Sequence, residues 1–194
     1  MNRRQKRKKI RAYLQEPEQQ VVVVDELVEP FRQAIGPDFD AYRNHCRRVF
    51  LFCIAFAGGE DEAVRRKAAF ASAFHDLGIW TAGTFDYIKP SRLLAKSHLE
   101  TIGKPEWVDE ILAMIEQHHK LTTFRPNPSW LVEPFRKADW IDVSRGMLRF
   151  GLDDVYVLDV LDAFPNEGFH RTLARLAFTR MKSHPFDALP MFRL

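Results

Sequence analysis

The stretch "FASAFHDLGIW", residues 70–80, places two ionisable side chains, His75 and Asp76, at the end of an apolar segment. The residues before this pair are mostly alanine and phenylalanine, which predicts a helix with a buried face. An unpaired charge is costly in such surroundings. Groups that offset this cost must therefore come from other parts of the chain.

The composition predicts one soluble domain. The chain has 194 residues, of which 46% are hydrophobic and 12% aromatic, enough for one substantial core. Its 9 glycines and 11 prolines do not cluster into a Gly/Pro-rich stretch, so no flexible linker is expected. The longest uncharged apolar run, from Val49 to Gly59, has 11 residues. That is well short of the roughly 18 to 20 that span a bilayer.

The basic N-terminal segment and the two cysteines indicate possible partners and a cellular location. Residues 1–11 hold seven of the 29 basic residues and no acid, leaving 22 basic against 26 acidic residues in the remainder. We expect residues 1–20 to form a basic, disordered tail and residues 21–194 to form the domain. The tail could contact nucleic acid or anionic lipid, but it lacks the apolar core of a secretory signal. Cys46 and Cys53 share one helical face, which predicts buried thiols in a reducing cytoplasm.

Hydrophobic periodicity predicts an all-α helical bundle, because no segment alternates convincingly as a strand would. The valine run that opens the first segment is also compatible with a strand. Helix boundaries follow from capping residues, from prolines in first turns and from the glycine pair at 58–59. The expected helices are 21–33, 38–57, 60–76, 91–102 after Pro90, 105–120, 127–146 and a pair within 153–183.

The apolar stripes of these helices lead to ionisable residues. In the segment 105–120, for example, Val108, Ile111 and Ile115 follow helical spacing, and the same stripe continues to His118 and His119. Corresponding stripes on the other helices lead inward to the same residue types. The inward residues are His45, His75, His98, His118, His119, Asp76 and Asp139.

A buried metal ion accounts for this pattern. Buried carboxylates need a cation or several hydrogen-bond donors, and Arg48 is the only basic residue on these stripes. A divalent cation supplies the missing charge. Nitrogen and oxygen donors without thiolates suit Mn, Fe, Co, Ni or Zn.

The order of these residues resembles the HD-domain metal-dependent phosphohydrolases over about residues 38–146. The resemblance rests on His45 in "NHCRRV", the pair in "FHDLGIW", and the later "QHHK" and "KAD". It implies a metal set of His45, His75, Asp76 and Asp139. Members with a second metal use further histidines, which here would be His98, His118 and His119. The Gly-Tyr-Pro segment of the cyclic-dinucleotide phosphodiesterases has no counterpart in this chain.

The resemblance further implies hydrolysis of a phosphomonoester or phosphodiester, commonly of a nucleotide or related small molecule. Asp76 could orient or deprotonate the attacking water. Arg48, one turn from His45, is the nearest basic candidate for neutralising phosphoryl charge. Lys89 and Lys120 could also neutralise phosphoryl charge, although solvated surface lysines are the more common case. Trp80, Phe85 and Tyr87 could stack on a base or line the pocket, and they are equally compatible with core positions.

Two other functions fit the same pattern. A di-iron oxygenase on this scaffold would also need many inward histidines, and a non-catalytic signalling module could keep the site for binding alone. Within the hydrolase interpretation, His98, His118 and His119 could hold a second ion or grip the substrate phosphate. The sequence favours phosphate contacts slightly, since the first ion needs only the four-residue set.

Overall fold

The computed structural model describes residues 17–59, 61–187 and 189–192, and within these ranges it contains helices and turns but no β-strand. The all-α prediction is therefore confirmed. Short helical turns, among them Pro17–Gln20, Arg32–Ile35 and Gly78–Thr81, connect the longer helices. The longer helices are α1 (Val22–Val28), α2 (Phe39–Ala57), α3 (Glu62–Phe74), α4 (Ile88–Thr101), α5 (Val108–Gln117), α6 (Val132–Val143), α7 (Asp154–Ala163) and α8 (Phe169–Ser183).

The valine run belongs to a helical segment. Val21, Val24 and Val28 are fully buried, whereas Val22 is half exposed, which is the spacing of one helical face. Pro17–Gln20 also form a helical turn, so the predicted tail is helical from Pro17. The remainder of that tail, residues 1–16, lies outside the described residues.

Several helix ends differ from the predicted boundaries. Helix α3 begins at Glu62 because the Asp61 side chain accepts hydrogen bonds from two backbone N–H groups of the first turn. Helix α4 begins at Ile88, two residues before Pro90, and a proline is tolerated in a first turn because the N–H it lacks has no helical partner there. Helix α5 ends at Gln117, so His118 and His119 follow the helix directly.

Helix α2 forms the centre of the bundle. Helices α3 and α6 pack along it, and α1, α7 and α8 also contact it. Its buried residues lie on most of its circumference, among them Val49, Phe50, Leu51 and Phe52. A helix surrounded in this way can present His45 to neighbours on several sides.

Cys46 and Cys53, both on α2, are buried free thiols, as the sequence predicted. Burial raises the pKa of both thiols, which keeps them protonated. Across the described parts of the chain, no helix combines the length and the apolar content needed to cross a membrane.

The turn after α3 packs closely against the start of α4. A Cβ atom on Gly78 would lie 2.6 Å from the carbonyl oxygen of Tyr87 and 2.9 Å from the amide nitrogen of Ser91. The Gly78 amide also donates a 2.9 Å hydrogen bond to the Ser91 hydroxyl. Because Gly78 has no side chain, Tyr87 can pack close to the end of α3, where His75 and Asp76 lie.

Candidate metal centre

The four residues expected to hold a metal come together in the core. His45 lies in the middle of α2, His75 and Asp76 follow α3, and Asp139 lies on α6. All four are at most 2% exposed. Packing of α3 and α6 against α2 therefore brings the four side chains, which we call the primary cluster, into contact.

The two histidines approach each other through the same ring nitrogen. His45 Nε2 lies 2.9 Å from His75 Nε2. On the far side of each ring, His45 Nδ1 lies 2.6 Å from a carboxylate oxygen of Asp142, and His75 Nδ1 lies 2.9 Å from the Ser72 carbonyl oxygen. A carbonyl or carboxylate oxygen can only accept, so each Nδ1 carries the hydrogen. In the neutral form of each ring, Nε2 is consequently left with a lone pair directed inward.

This geometry suits a shared cation. Two lone pairs 2.9 Å apart repel each other unless a positive charge lies between them. Atoms bound at about 2.0 to 2.1 Å to one ion lie roughly 2.9 to 3.4 Å apart when they are neighbours. The two histidine nitrogens fall within this range, and the carboxylates lie slightly beyond it. Asp76 Oδ2 lies 3.6 and 3.5 Å from the two Nε2 atoms, and Asp139 Oδ1 lies 3.7 and 3.8 Å from them.

Several polar atoms of this region have no hydrogen-bond partner among the described residues. They are both carboxylate oxygens of Asp139, Oδ1 of Asp76 and Nε2 of His118, and all are buried. Buried acceptors in this state are rare in folded proteins because each one forfeits its hydration. The donor set therefore fits a divalent cation, which would satisfy several of these atoms at once.

A second group of possible ligands adjoins the first. It consists of Asp76, His118 and His119, so Asp76 belongs to both groups. His118 Nδ1 donates to the Ile115 carbonyl oxygen at 2.6 Å, which leaves its Nε2 facing Asp76 Oδ1 at 3.4 Å. We call the primary cluster and this second group together the cluster, which could thus hold one ion, or two that share Asp76.

His119 differs from the other histidines of the cluster. Its Nε2 lies 2.5 Å from the Tyr87 hydroxyl, and its Nδ1 lies 3.4 Å from Asp139 Oδ2. A hydroxyl can donate or accept, whereas the outward partners of His45, His75 and His118 only accept. His119 can therefore present either a lone pair or an N–H group to the cluster.

The protonation of the cluster follows from burial. Burial raises the pKa of Asp139 to about 7, although nearby histidines oppose the rise. Burial likewise lowers the pKa of His75 to about 3, because the neutral imidazole is favoured away from water. Burial alone would also raise the pKa of Asp76, but His75 and His118 outweigh burial and lower this pKa. Neutral His75 and ionised Asp76 are in the state that a metal requires of its ligands, whereas Asp139, with its raised pKa, would give up a proton when an ion binds.

Arg48 does not occupy the place expected of a phosphate contact. Its side chain is 1% exposed, and its Nε and Nη2 donate to the two oxygens of Asp142, the latter at 2.9 Å. Its Nη1 donates to the carbonyl oxygens of Phe164 and Pro165 at 2.7 and 3.2 Å. Because its N–H groups already donate to these partners, Arg48 is not available to neutralise the negative charge of a substrate.

Asp142 is the site residue that the sequence interpretation missed. It follows Asp139 by three positions within "KADWIDVS", and so lies on the same face of α6. That spacing was the available signal. Burial alone would raise the pKa of Asp142, but the Arg48 guanidinium holds it well below its usual value.

The remaining expected residues lie in varied surroundings. His98 packs against Phe74 and Phe70, with ring centroids 5.2 and 5.6 Å away, and no contact among the described residues joins it to the cluster. His98 is therefore not part of the group formed by Asp76, His118 and His119. Lys89 is exposed, and Lys120 is half-buried directly after His119.

The aromatic residues expected to stack on a base have partners within the protein. Trp80 donates from Nε1 to Asp38 at 3.1 Å and packs 4.6 Å from the Tyr42 ring. Phe85 and Tyr87 are buried together with Ile79 and Met191. Of these aromatic residues, Tyr87 is the one that reaches the cluster, through its hydroxyl and through contacts of its ring with those of His118 and His119, at centroid distances of 6.4 and 6.2 Å.

Comparison of the chain with protein-family models, with curated proteins and with solved structures gave no match.

Proposed function

We propose that this protein is a metal-dependent phosphohydrolase of the HD type. The observation that carries the proposal is the pair of inward lone pairs on His45 and His75, 2.9 Å apart and faced by two buried carboxylates. The order of these residues along the chain supports the HD type. A nucleotide or a related small phosphoester is the proposed substrate.

The ligands of the proposed ion are His45, His75, Asp76 and Asp139. A divalent cation held there lowers the pKa of a water molecule and polarises a phosphoryl oxygen. The mixed nitrogen and oxygen donors suit Mn, Fe, Co, Ni or Zn. The two carboxylates supply the two negative charges that balance a divalent ion in the buried site.

Asp76 has the position of a proton acceptor for the attacking water. Its Oδ2 faces the two histidines of the primary cluster, while its Oδ1 faces His118 and has no hydrogen-bond partner among the described residues. Oδ1 can therefore accept a hydrogen bond from a water molecule and orient it for attack on phosphorus. The water forms the new P–O bond as the P–O bond to the leaving group breaks.

His118 and His119 are the proposed phosphate contacts. The centroids of their rings lie 3.9 Å apart, with the ring planes inclined by 47°, and both rings lie beside the carboxylates of the cluster. Burial alone would lower the pKa of His118, but Asp76 and Asp139 outweigh burial and raise the pKa, so Nε2 of a protonated His118 can donate to a phosphoryl oxygen that carries negative charge. His119 can donate to such an oxygen from the ring nitrogen that carries its hydrogen. His98, whose ring lies against Phe70 and Phe74, has no part in this proposal.

One observation favours an alternative in which the site binds two metal ions. Asp76, His118 and His119 can hold an ion, and sharing Asp76 would place it beside the first. Such a pair of ions would suit a di-iron oxygenase as well as a hydrolase. Oxygen consumption by iron-loaded protein would support the oxygenase, and metal binding without turnover of any kind would support a signalling module.

The proposal is tested with protein freed of metal by chelation and then reloaded with each of the five metals. We expect hydrolysis of a phosphodiester or phosphomonoester, such as bis(4-nitrophenyl) phosphate or a nucleoside monophosphate, only after reloading. Asp139→Ala should abolish this activity while helicity is retained, and the exposed Asp159→Asn on α7 serves as the control. Equal turnover in wild type and Asp139→Ala would refute the assigned role of Asp139.

A further inference from the structure

A buried ion pair lies directly behind the metal-binding face of His45. Arg48 and Asp142 are each 1% exposed, and the guanidinium of Arg48 binds both oxygens of the Asp142 carboxylate. Such a pair is weak evidence for stability, because removing two charges from water costs about as much as their attraction returns. Its presence in the core of a small bundle needs another explanation.

The pair is joined to His45 through one oxygen. Asp142 Oδ2 accepts from Arg48 Nη2 at 2.9 Å and from His45 Nδ1 at 2.6 Å. Because Arg48 balances the charge of Asp142, this carboxylate can remain ionised without binding a metal. The short bond from His45 fixes both the rotation of the imidazole ring and the nitrogen that carries its hydrogen.

The connection between α7 and α8 supports this arrangement from outside. Phe164 and Pro165 supply the carbonyl oxygens that accept from Arg48 Nη1, and the Asn44 side chain also donates to Pro165 at 2.9 Å. The Phe169 ring stacks on His45 with centroids 4.1 Å apart and planes inclined by 18°. These supports come from beyond residue 146, outside the region that carries the sequence motif.

We propose that Arg48 and Asp142 are positioning residues of the metal centre, held in place by the α7–α8 connection, and that they fix His45 with Nε2 directed at the ion. This inference rests on the proposed metal centre for its purpose, although the orientation of His45 can be measured without a metal. It assigns Arg48 to the support of a ligand instead of to the substrate. It also makes the C-terminal helices part of the site.

The first test measures metal affinity. Zn²⁺ and Co²⁺ dissociation constants are determined by competition with a chelator for wild type, Asp142→Asn and the double variant Arg48→Met with Asp142→Leu. The double variant leaves no unpaired buried charge, so it guards against a simple failure to fold. Asp159→Asn, the same change on the exposed face of α7, is the control.

Both core variants should bind metal about 10- to 100-fold more weakly, the usual effect of removing a hydrogen-bond partner of a ligating histidine. The visible absorption of bound Co²⁺ should also change, whereas circular dichroism should show retained helicity. A purely structural role would lower the thermal midpoint without altering affinity in the folded protein. Affinities within twofold of wild type in both variants would overturn the proposal.

The second test separates this inference from the proposed function. In metal-free protein, nitrogen–proton NMR correlations of the His45 ring should show a neutral imidazole with its hydrogen on Nδ1, and this signature should be lost in the double variant. If wild type shows the signature but binds no metal, the metal centre fails and the positioning role stands. A His45 ring with its hydrogen on Nε2 in wild type would overturn the positioning role itself.

Discussion

His45 Nε2 and His75 Nε2 lie 2.9 Å apart in the core, although in the neutral rings the partners of Nδ1 leave neither Nε2 with a hydrogen to donate to the other. His45 lies on α2 and His75 directly follows α3, so the approach of their rings is set by the packing of α3 against α2. Folding thus brings together two acceptors and, beside them, two buried carboxylates. A shared cation would remove the repulsion among all four groups.

Metal should therefore stabilise the native protein. With free metal at about 100 times its dissociation constant, the free energy of unfolding should rise by about 2.7 kcal/mol. Thermal unfolding with and without metal measures this rise as a shift of the midpoint. His75→Ala should show no shift, while the control His184→Ala, exposed after α8, should behave as wild type. A metal-dependent shift that survives in His75→Ala would contradict the ligand assignment.

Tyr87→Phe should impair hydrolysis because it removes the hydroxyl that contacts His119 at 2.5 Å. Loss of one buried hydrogen bond should also lower the free energy of unfolding by about 1 to 3 kcal/mol. The matched control is Tyr156→Phe, whose buried hydroxyl donates to the Leu51 carbonyl oxygen at 2.8 Å, away from the cluster. We expect both variants to lose stability but only Tyr87→Phe to lose turnover. If the two variants had comparable turnover, the prediction that Tyr87 has a role in the site would be wrong.

Gly78→Ala should destabilise the protein because the added Cβ would lie 2.6 Å from the Tyr87 carbonyl oxygen. Neither this oxygen nor the nearby Ser91 backbone can yield without moving the start of α4. We expect a loss of about 1 to 3 kcal/mol in denaturant unfolding, together with weaker hydrolysis through displacement of Tyr87.

Gly83→Ala is the control for this change. Gly83 has a φ of 60°, which disfavours alanine, but a Cβ there would meet no atom within 4 Å. The control should therefore lose stability through backbone strain alone, by about 1 kcal/mol, and should keep its hydrolytic activity. Wild-type stability in Gly78→Ala would show that the two segments are not packed as described.

The ion pair of Glu133 predicts one component of the pH dependence of stability. Burial alone would raise the pKa of Glu133, but Arg136 and the Phe124 amide outweigh it and lower the pKa below the usual 4.5. Because the folded pKa lies below the unfolded one, this stabilisation is present above about pH 4.5 and is lost as the pH falls through the folded pKa. The difference in unfolding free energy between wild type and Glu133→Gln should therefore shrink in acid.

Denaturant unfolding at a series of pH values measures that difference. The control is Glu100→Gln, at the exposed end of α4, which should differ little from wild type at every pH. A gap between wild type and Glu133→Gln that stays constant or widens as the pH falls would contradict the sign of this prediction.

The inward direction of a side chain could be predicted from the sequence wherever a long apolar stripe led to it. The stripe of α5 points to His118 and His119, and the structure places both at the cluster. The stripe of α4 leads to His98 in the same way, yet that ring meets phenylalanines of α3. A stripe gives the face of a helix but not the level along the bundle at which that face meets its neighbours.

Pairing between charged residues was harder to predict than burial. Arg48 was correctly expected to face inward, but its partner Asp142 could not be identified, because 94 residues separate the two positions. The carbonyl oxygens of Phe164 and Pro165, which accept from Arg48 Nη1, belong to the backbone. The residue types at these positions therefore do not predict the contact. Contacts of this kind depend on how α6 and the α7–α8 connection dock on α2, and local periodicity carries no information about that.

The location of a bound ion tests the central claim most directly. Crystals of the protein loaded with Co²⁺ or Zn²⁺, measured at the absorption edge of that metal, reveal the ion by anomalous scattering. The account predicts a peak within bonding distance of His45 Nε2, His75 Nε2 and carboxylate oxygens of Asp76 and Asp139. An anomalous peak elsewhere, or none in the primary cluster at saturating metal, would contradict it.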